Sequence, residues 1–583
     1  MSDRELVLRH VVADVHARRA LPAEVRISGG RIASVRELTG SEALRVVPGI
    51  LIPGLVDAHV HIESSMLPPW EFARVAVRHG TVATVSDPHE IANVLGADGI
   101  RFMLEDAAGS PFTFWFGVPS CVPATALETA GAALDADAVA ALLDDPRLPY
   151  LSEMMNWPGV LARDPEVMAK IAAARARGKR VDGHAPGLLG ADIAHYAAAG
   201  IETDHECRTA EEGRARIAAG MMLAIREGSA ARNMDALLPV LREHPDRCMW
   251  CTDDAHPDTL LAGHINRLMA RAVAAGIDPF DALRAGTLNT VTHYRMPCGL
   301  LRVGDRADMA LVDDLRSFRV RRTWIAGSMV AEEGVSRLPG RASATPNRFR
   351  ACRVSADDLA LRTGPGAGST VRAHVIAVED GQLVTGHAME AVTVSGSAVA
   401  GGAAAGGAAA GDVAGGGAAV HVADADRVVE PDPSRDLLLL AVVNRYTDAP
   451  PALALVRGIG LTRGAIASSV AHDSHNVVAV GASRAELAEA INAVCAARGG
   501  LALTASGTHV LELPIAGLMS DRPAEDVAAT YARLTDGARA LGSPLHAPFM
   551  TLAFLALIVI PALKLSDRGL VDATAMRFVP PLE

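Results

Sequence analysis

The chain has 583 residues, half of them hydrophobic, and a formal net charge of −12 at pH 7. That length suits several domains with a large core, and the acidic balance excludes a nucleic-acid binder or a protein held on anionic lipid by a basic face. Seven scattered cysteines, an odd number, fit a reduced compartment better than a disulfide framework.

The opening "MSDRELVLRHVVADVHARRA" is charged throughout and has no apolar signal core. With "AEVRISGGRIASVREL" and its Gly-Gly turn it makes residues 1–50 a set of short β-like runs. From 51 to 300 the rhythm changes. Eight short apolar runs recur, near 58, 85, 116, 152, 183, 203, 225 and 251, each followed by polar residues and then an Ala-rich helical pattern. Strands alternating with helices imply a parallel sheet. Eight such units in about 250 residues are the size of a (β/α)8 barrel. After 300, "GLLRVGDRADMALVDDLRSFRVRRTWIAGSMVA" returns to short strands. The expectation is an α/β chain: a TIM-like metal-dependent hydrolase barrel over 51–300, and a small β-domain built from both flanks, 1–50 and 301–345. An additional C-terminal α+β domain covers 346–583, with a Gly/Ala low-complexity insertion at about 395–417 that reads as a surface loop. The apolar run "FMTLAFLALIVIPALKL" (549–565) contains Pro561 and falls short of the roughly 18 apolar residues of a membrane span, so it reads as a buried strand or helix. A soluble cytoplasmic protein is expected.

The barrel reading puts the polar residues at the strand ends, where such barrels place active sites. Strand one ends in His59 and His61, which point the same way because strand side chains alternate. Strand two ends in Asp87, His89 and Glu90, strand four in Glu153, strand five in His184 and strand six in His205 and Glu206. Strand seven ends in Arg226 and Glu227, strand eight in Asp253 and Asp254. Imidazole and carboxylate donors suit zinc, iron or manganese. Two metals about 3.5–4 Å apart can share a bridging hydroxide, a strong nucleophile at neutral pH. By contrast "CMWC" (248–251) lies within strand eight with no second Cys pair and reads as packing. "SSVAHDSHN" (468–476) holds His472, Asp473 and His475 in a polar loop outside the barrel; it is expected at a barrel mouth, in the same subunit or a neighbour, shaping substrate binding.

His-x-His after strand one, His after strands five and six and Asp after strand eight resemble the amidohydrolase superfamily. Within it, "PGLVDAHVHIESSM", "SDPHEIANV", "EMMNWPGV", "DGHAPGL", "TDHE", "REGSAARN" and "CTDD" resemble the barrel motifs of the bacterial adenine deaminases, and "RGIGLTRGAIASSVAHDSHNVVAVG", "LPIAGLMSD" and "PFMTLAFLAL" their C-terminal region. The Gly/Ala insertion is where the chain departs from them. The resemblance implies hydrolysis of adenine to hypoxanthine and ammonia by a metal-bound hydroxide, with two divalent metals per subunit, Mn2+ or Fe2+, with Zn2+ as the third candidate. It also implies a homo-oligomer, a dimer or larger. The alternatives are another aminopurine or a cyclic amide as substrate, or an inactive scaffold.

Many relatives of that superfamily bridge their metals with a carbamylated lysine on strand four. The three lysines here, Lys170, Lys179 and Lys564, all lie away from barrel strand ends, which leaves Glu153 as the bridge. The ligand set is then His59, His61, Glu153, His184, His205 and Asp253. Asp253 is expected to ligate metal, take a proton from water and pass it to the leaving amine. Related deaminases often carry a glutamate just after the strand-five histidine. Ala-Pro-Gly follows His184, so the proton for the purine ring must come from Glu90, Glu206 or Glu227, with Glu90 favoured. Glu206 reads as a residue that orients a ligand. Arg226 could hydrogen-bond the purine or pair with a carboxylate. Asp87, His89, His472, Asp473 and His475 complete the candidates for substrate contact.

Overall fold

The computed structural model describes residues 5–350, 353–364, 367–395 and 427–583. Its centre is built from eight short parallel strands: Leu55–Val60, Thr81–Ser86, Thr113–Val118, Tyr150–Met154, Arg180–Gly183, Thr203–Asp204, Met222–Arg226 and Cys248–Cys251. Apart from the half-buried start of Thr113–Val118 and Arg180, they are buried on both faces, which is why they read as near-continuous apolar runs rather than alternating ones. The first five form one curled parallel sheet and the last three another. At one seam Glu202 N donates to Val181 O at 2.9 Å. At the other, Val60 makes a parallel bridge with Asp253, so strand eight lies beside strand one.

A helix follows each strand, among them Pro69–Ala76, Ala97–Ala107, Ala136–Leu142, Pro165–Ala176, Gly190–Ala198, Ala210–Ala218 and Met234–Glu243. Several starts are fixed locally. Asp135 and Asp164 accept from backbone N–H groups of the first turn, and Thr209 with Glu212 forms a reciprocal capping box. In strand eight, Met249 and Cys251 pack into one apolar cluster while Cys248 and Trp250 pack into another, the alternation a regular strand requires. Both cysteines are buried and free.

Strands from both flanks share one eight-stranded sheet. Ile50–Pro53 pairs parallel with Leu6–Asp14 on one side and antiparallel with Met309–Val312 on the other. Gly29 and Gly30 take φ of 56° and 78° in the hairpin turn before Arg31, a conformation glycine adopts without steric cost. The C-terminal region carries a ten-stranded sheet with helix Arg484–Ala497 packed on it. The Gly/Ala-rich segment at about 395–417 lies outside the described residues, Ser395 apart. The apolar run 549–565 divides into helix Pro548–Phe554, a turn and strand Leu563–Ser566. No helix among the described residues is long and apolar enough to cross a membrane.

Candidate metal centre

His59 and His61 leave strand one on the same side, and their Nε2 atoms stand 3.2 Å apart. Strand eight is locked against them: Asp253 N donates to His59 O at 2.9 Å and His61 N to Asp253 O at 3.0 Å. Behind this, buried Asp57 accepts from Thr252 N at 3.1 Å and Thr252 Oγ1 at 2.5 Å, with His264 Nε2 at 3.0 Å. Asp253 takes a left-handed φ of 57°, which an Asp tolerates better than most residues. Its Oδ1 lies 3.4 Å from His59 Nε2 and 3.1 Å from His61 Nε2.

Glu153 occupies the middle. Its Oε1 is 3.4 Å from His61 Nε2 and 3.2 Å from His89 Nδ1; its Oε2 is 2.8 Å from His184 Nδ1 and 3.1 Å from His205 Nε2. His59, His61, Glu153, His184, His205 and Asp253 thus converge in one buried cluster. His59, His61 and Asp253 form one group of donors within 4.8 Å of one another, and His59, Glu153 and His205 form an overlapping one. Burial pushes the Glu153 carboxyl up, but the facing His184 and its hydrogen-bonded imidazoles hold it well below the usual carboxylate range. Asp253 is likewise held well below, because Arg226 and the two strand-one histidines outweigh burial.

This donor set fits a divalent cation. Among the described residues, His184 Nε2 is buried with no hydrogen-bond partner, and so are both ring nitrogens of His89. Five imidazoles around buried carboxylates are costly to desolvate without a compensating charge, and they are the donors that zinc, iron and manganese take. The lysines stand elsewhere, each donating to backbone carbonyls: Lys170 to Ser120 and Leu134, Lys179 to Leu143, Asp145 and Leu148, and Lys564 to Leu383 and Phe554.

A second polar group sits beside the first. Asp87 and His89 open the helix after strand two; His89 Nδ1 is 3.2 Å from Asp87 Oδ2. Glu90 is gripped by the distant loop. His472 Nδ1 contacts its Oε1, and His475 Nε2 lies 2.5 Å from its Oε2. Asp473 Oδ1 is 3.6 Å from His89 Nε2. All are buried. Burial raises the Glu90 carboxyl, but His472 and His475 bring it well below its ordinary value. Burial works against the charge on His472, yet Glu90 and Asp254 raise it to about 9. A cavity of only about 20 Å³ lies among His61, His89, Glu90, Glu153, Asp253 and His472, walled by Met155, Leu383, Phe554 and Leu557.

One expectation needs correction, and one open choice is decided. Glu227 does not face the cluster. It pairs with Arg271 and accepts from Met234 N at 3.3 Å on the outer side. It follows Arg226, and adjacent positions at a strand end point oppositely, so only one of them can enter. Arg226 does enter, and it serves carboxylates: it contacts Glu206 and donates to Asp253 Oδ2 at 2.8 Å. Glu206 in turn lies 3.6 Å from His184 Nδ1 and 3.7 Å from His205 Nε2.

Other residues went unassigned from sequence. Glu63, two positions past His61, is buried with Oε2 unpartnered among the described residues, and burial and Glu90 push its carboxyl up to about 7. Asp254 accepts from Ser64 Oγ at 2.5 Å, and burial beside Asp253 raises its carboxyl. Each neighbours an assigned ligand in sequence, which was the available signal. The apolar wall carried none.

Residues 50–330 match the amidohydrolase family and 416–577 the adenine deaminase C-terminal domain. The chain is 54% identical over 571 residues to an adenine deaminase of Salinibacter ruber, covering 97% of each chain. It is 46% identical over 578 residues to one of Methanosarcina mazei, covering 98% of each. With one of Parabacteroides distasonis it shares 43% over 576 residues, 99% of this chain and 98% of the other.

Proposed function

The chain belongs to the adenine deaminase family, and from that membership we propose that it hydrolyses adenine to hypoxanthine and ammonia at the buried cluster, using two divalent metals, Mn2+ or Fe2+, with Zn2+ as the third candidate. The observation that carries this reading is Glu153, whose two oxygens face imidazoles from different strands, His61 at 3.4 Å and His205 at 3.1 Å. In the same reading the barrel closes as a (β/α)8 unit over 51–300. The composite β-domain takes 1–50 and 301–345, the C-terminal α+β domain takes 346–583, and the protein works in the cytoplasm as a homo-oligomer.

His59, His61, Asp253, His184, His205 and Glu153 are the residues that would hold the metals. When bound, such metals lower the pKa of water and so supply a nucleophile at neutral pH. The chain's own groups then handle protons. Asp253 takes the proton from water through Oδ1 and passes it to the leaving amine, while Arg226 holds Oδ2 and keeps the carboxyl ionised. Glu90 alone is a poor acid, because two histidines keep it ionised. The proton it delivers to the purine ring comes from His472, which retains one up to a pH of about 9.

Ammonia release from a purine panel by the metal-loaded full chain tests the reading. Adenine should give the highest kcat/KM, and chelation should abolish turnover until metal is restored. Turnover of a cyclic amide with none of adenine would reject it. The role of the 468–476 loop is tested separately. His475→Ala is expected to keep wild-type metal content and lower kcat/KM about tenfold, the scale of losing a partner that orients a working group. A variant with unchanged kinetics would reduce the loop to packing.

A further inference from the structure

Lys564 is fully buried, at 0% exposure. Its Nζ donates to Leu383 O at 2.6 Å and Phe554 O at 2.9 Å, and it makes no ion pair among the described residues. An ammonium group with only carbonyls for company is costly to bury; burial alone pulls its pKa down to about 7. A Met would fill similar space without that cost, so the amine's contacts are the informative part.

Both carbonyls belong to residues whose side chains wall the cavity beside the metal cluster. Leu383, Phe554 and Leu557 form a small apolar cluster with Ala230, Met550 and Ile560, separate from the main cores. Besides Ala230 and Ala231, it joins two pieces of chain. Around Leu383 the backbone is stitched to the stretch before Lys564: Thr385 N donates to Pro561 O at 3.1 Å and Ala562 N to Thr385 O at 3.1 Å. The other piece is helix Pro548–Phe554, and Phe554 O is one of its last carbonyls, groups that lack a regular intrahelical donor. A cation there also suits the negative end of the helix. Lys564 reaches both pieces at once. The cavity they close, about 20 Å³, has room for about one water, so a purine enters only when this wall moves.

We propose that Lys564 is a positioning residue, a latch that holds the Leu383–Phe554 wall closed over bound substrate and so sets the affinity for it. The substrate half of the proposal rests on the adenine reading above; the latch itself does not. The test uses the metal-loaded full chain with Lys564→Met and Lys564→Gln. The Met variant is expected to raise KM for adenine about tenfold, keep kcat within about twofold and keep its metal, as loss of closure without loss of chemistry requires. Amide hydrogen exchange at 383–385 and 548–557, measured without substrate, should become about tenfold faster. The Gln variant, whose amide keeps two donors, should recover most of the KM. Unchanged KM and exchange in the Met variant would overturn the latch. So would a joint fall of kcat, affinity and metal content in both variants, the signature of a general structural role. Faster exchange in a chain that does not deaminate adenine would keep the latch and reject the substrate reading.

Discussion

Glu153→Gln is expected to lose most of its bound metal and roughly a thousandfold in kcat/KM, the equivalent of the 3–5 kcal/mol that breaking a buried charge pair typically costs. The carboxylate faces His61, His89, His184 and His205, all within 3.4 Å. A glutamine amide offers one oxygen and turns an N–H toward the remaining imidazoles. It cannot neutralise charge on both sides at once. Metal analysis of the purified variant beside steady-state ammonia release checks this. Full metal content with normal turnover would place Glu153 outside the metal site.

Glu90→Gln separates proton delivery from metal binding. Its carboxyl lies beside the six-residue cluster and is held by His472 and His475. The variant should therefore keep its metal and lose roughly 10²–10⁴-fold in kcat, the range of a lost general acid. The pH profile carries a sign. Burial lowers the His472 pKa, but Glu90 and Asp254 raise it to about 9. Its proton is thus held below that pH and lost above it, and wild-type kcat should fall as pH rises through about 9. Without the Glu90 charge the alkaline limb should move to lower pH. An unchanged limb with unchanged kcat would exclude the Glu90–His472 pair from proton transfer.

The parts of this site that sequence reveals are those with short-range geometry. His59 and His61 are two apart on a strand, and the same periodicity turns Arg226 toward the cluster and Glu227 away from it. The curled parallel sheets are legible because their strands are largely buried and alternate with helices. Periodicity also decides between Arg226 and Glu227, but only once the strand's end is known to within one residue, and a one-residue uncertainty exchanges the two roles. What sequence does not carry is pairing across the chain. Nothing near Glu90 announces that His472 and His475, 382 and 385 positions away, will hold its two oxygens. The polar loop itself stands out; its partner does not. The cavity wall is hidden for the opposite reason. Phe554 and Leu557 sit in an apolar run that reads as core, and only the packing of that run against Leu383 makes it the wall of a site. Lys564 is conspicuous as one of few lysines, yet its meaning lies in two backbone carbonyls that no residue pattern encodes.

The central claim is a metal pair bridged by Glu153, and anomalous diffraction from crystals of the metal-loaded protein measures it most directly. Two peaks about 3.5–4 Å apart are expected, one beside His59, His61 and Asp253, the other beside His184 and His205, with the Glu153 carboxylate between them. A single peak, or two peaks with Glu153 bound to neither, would contradict it.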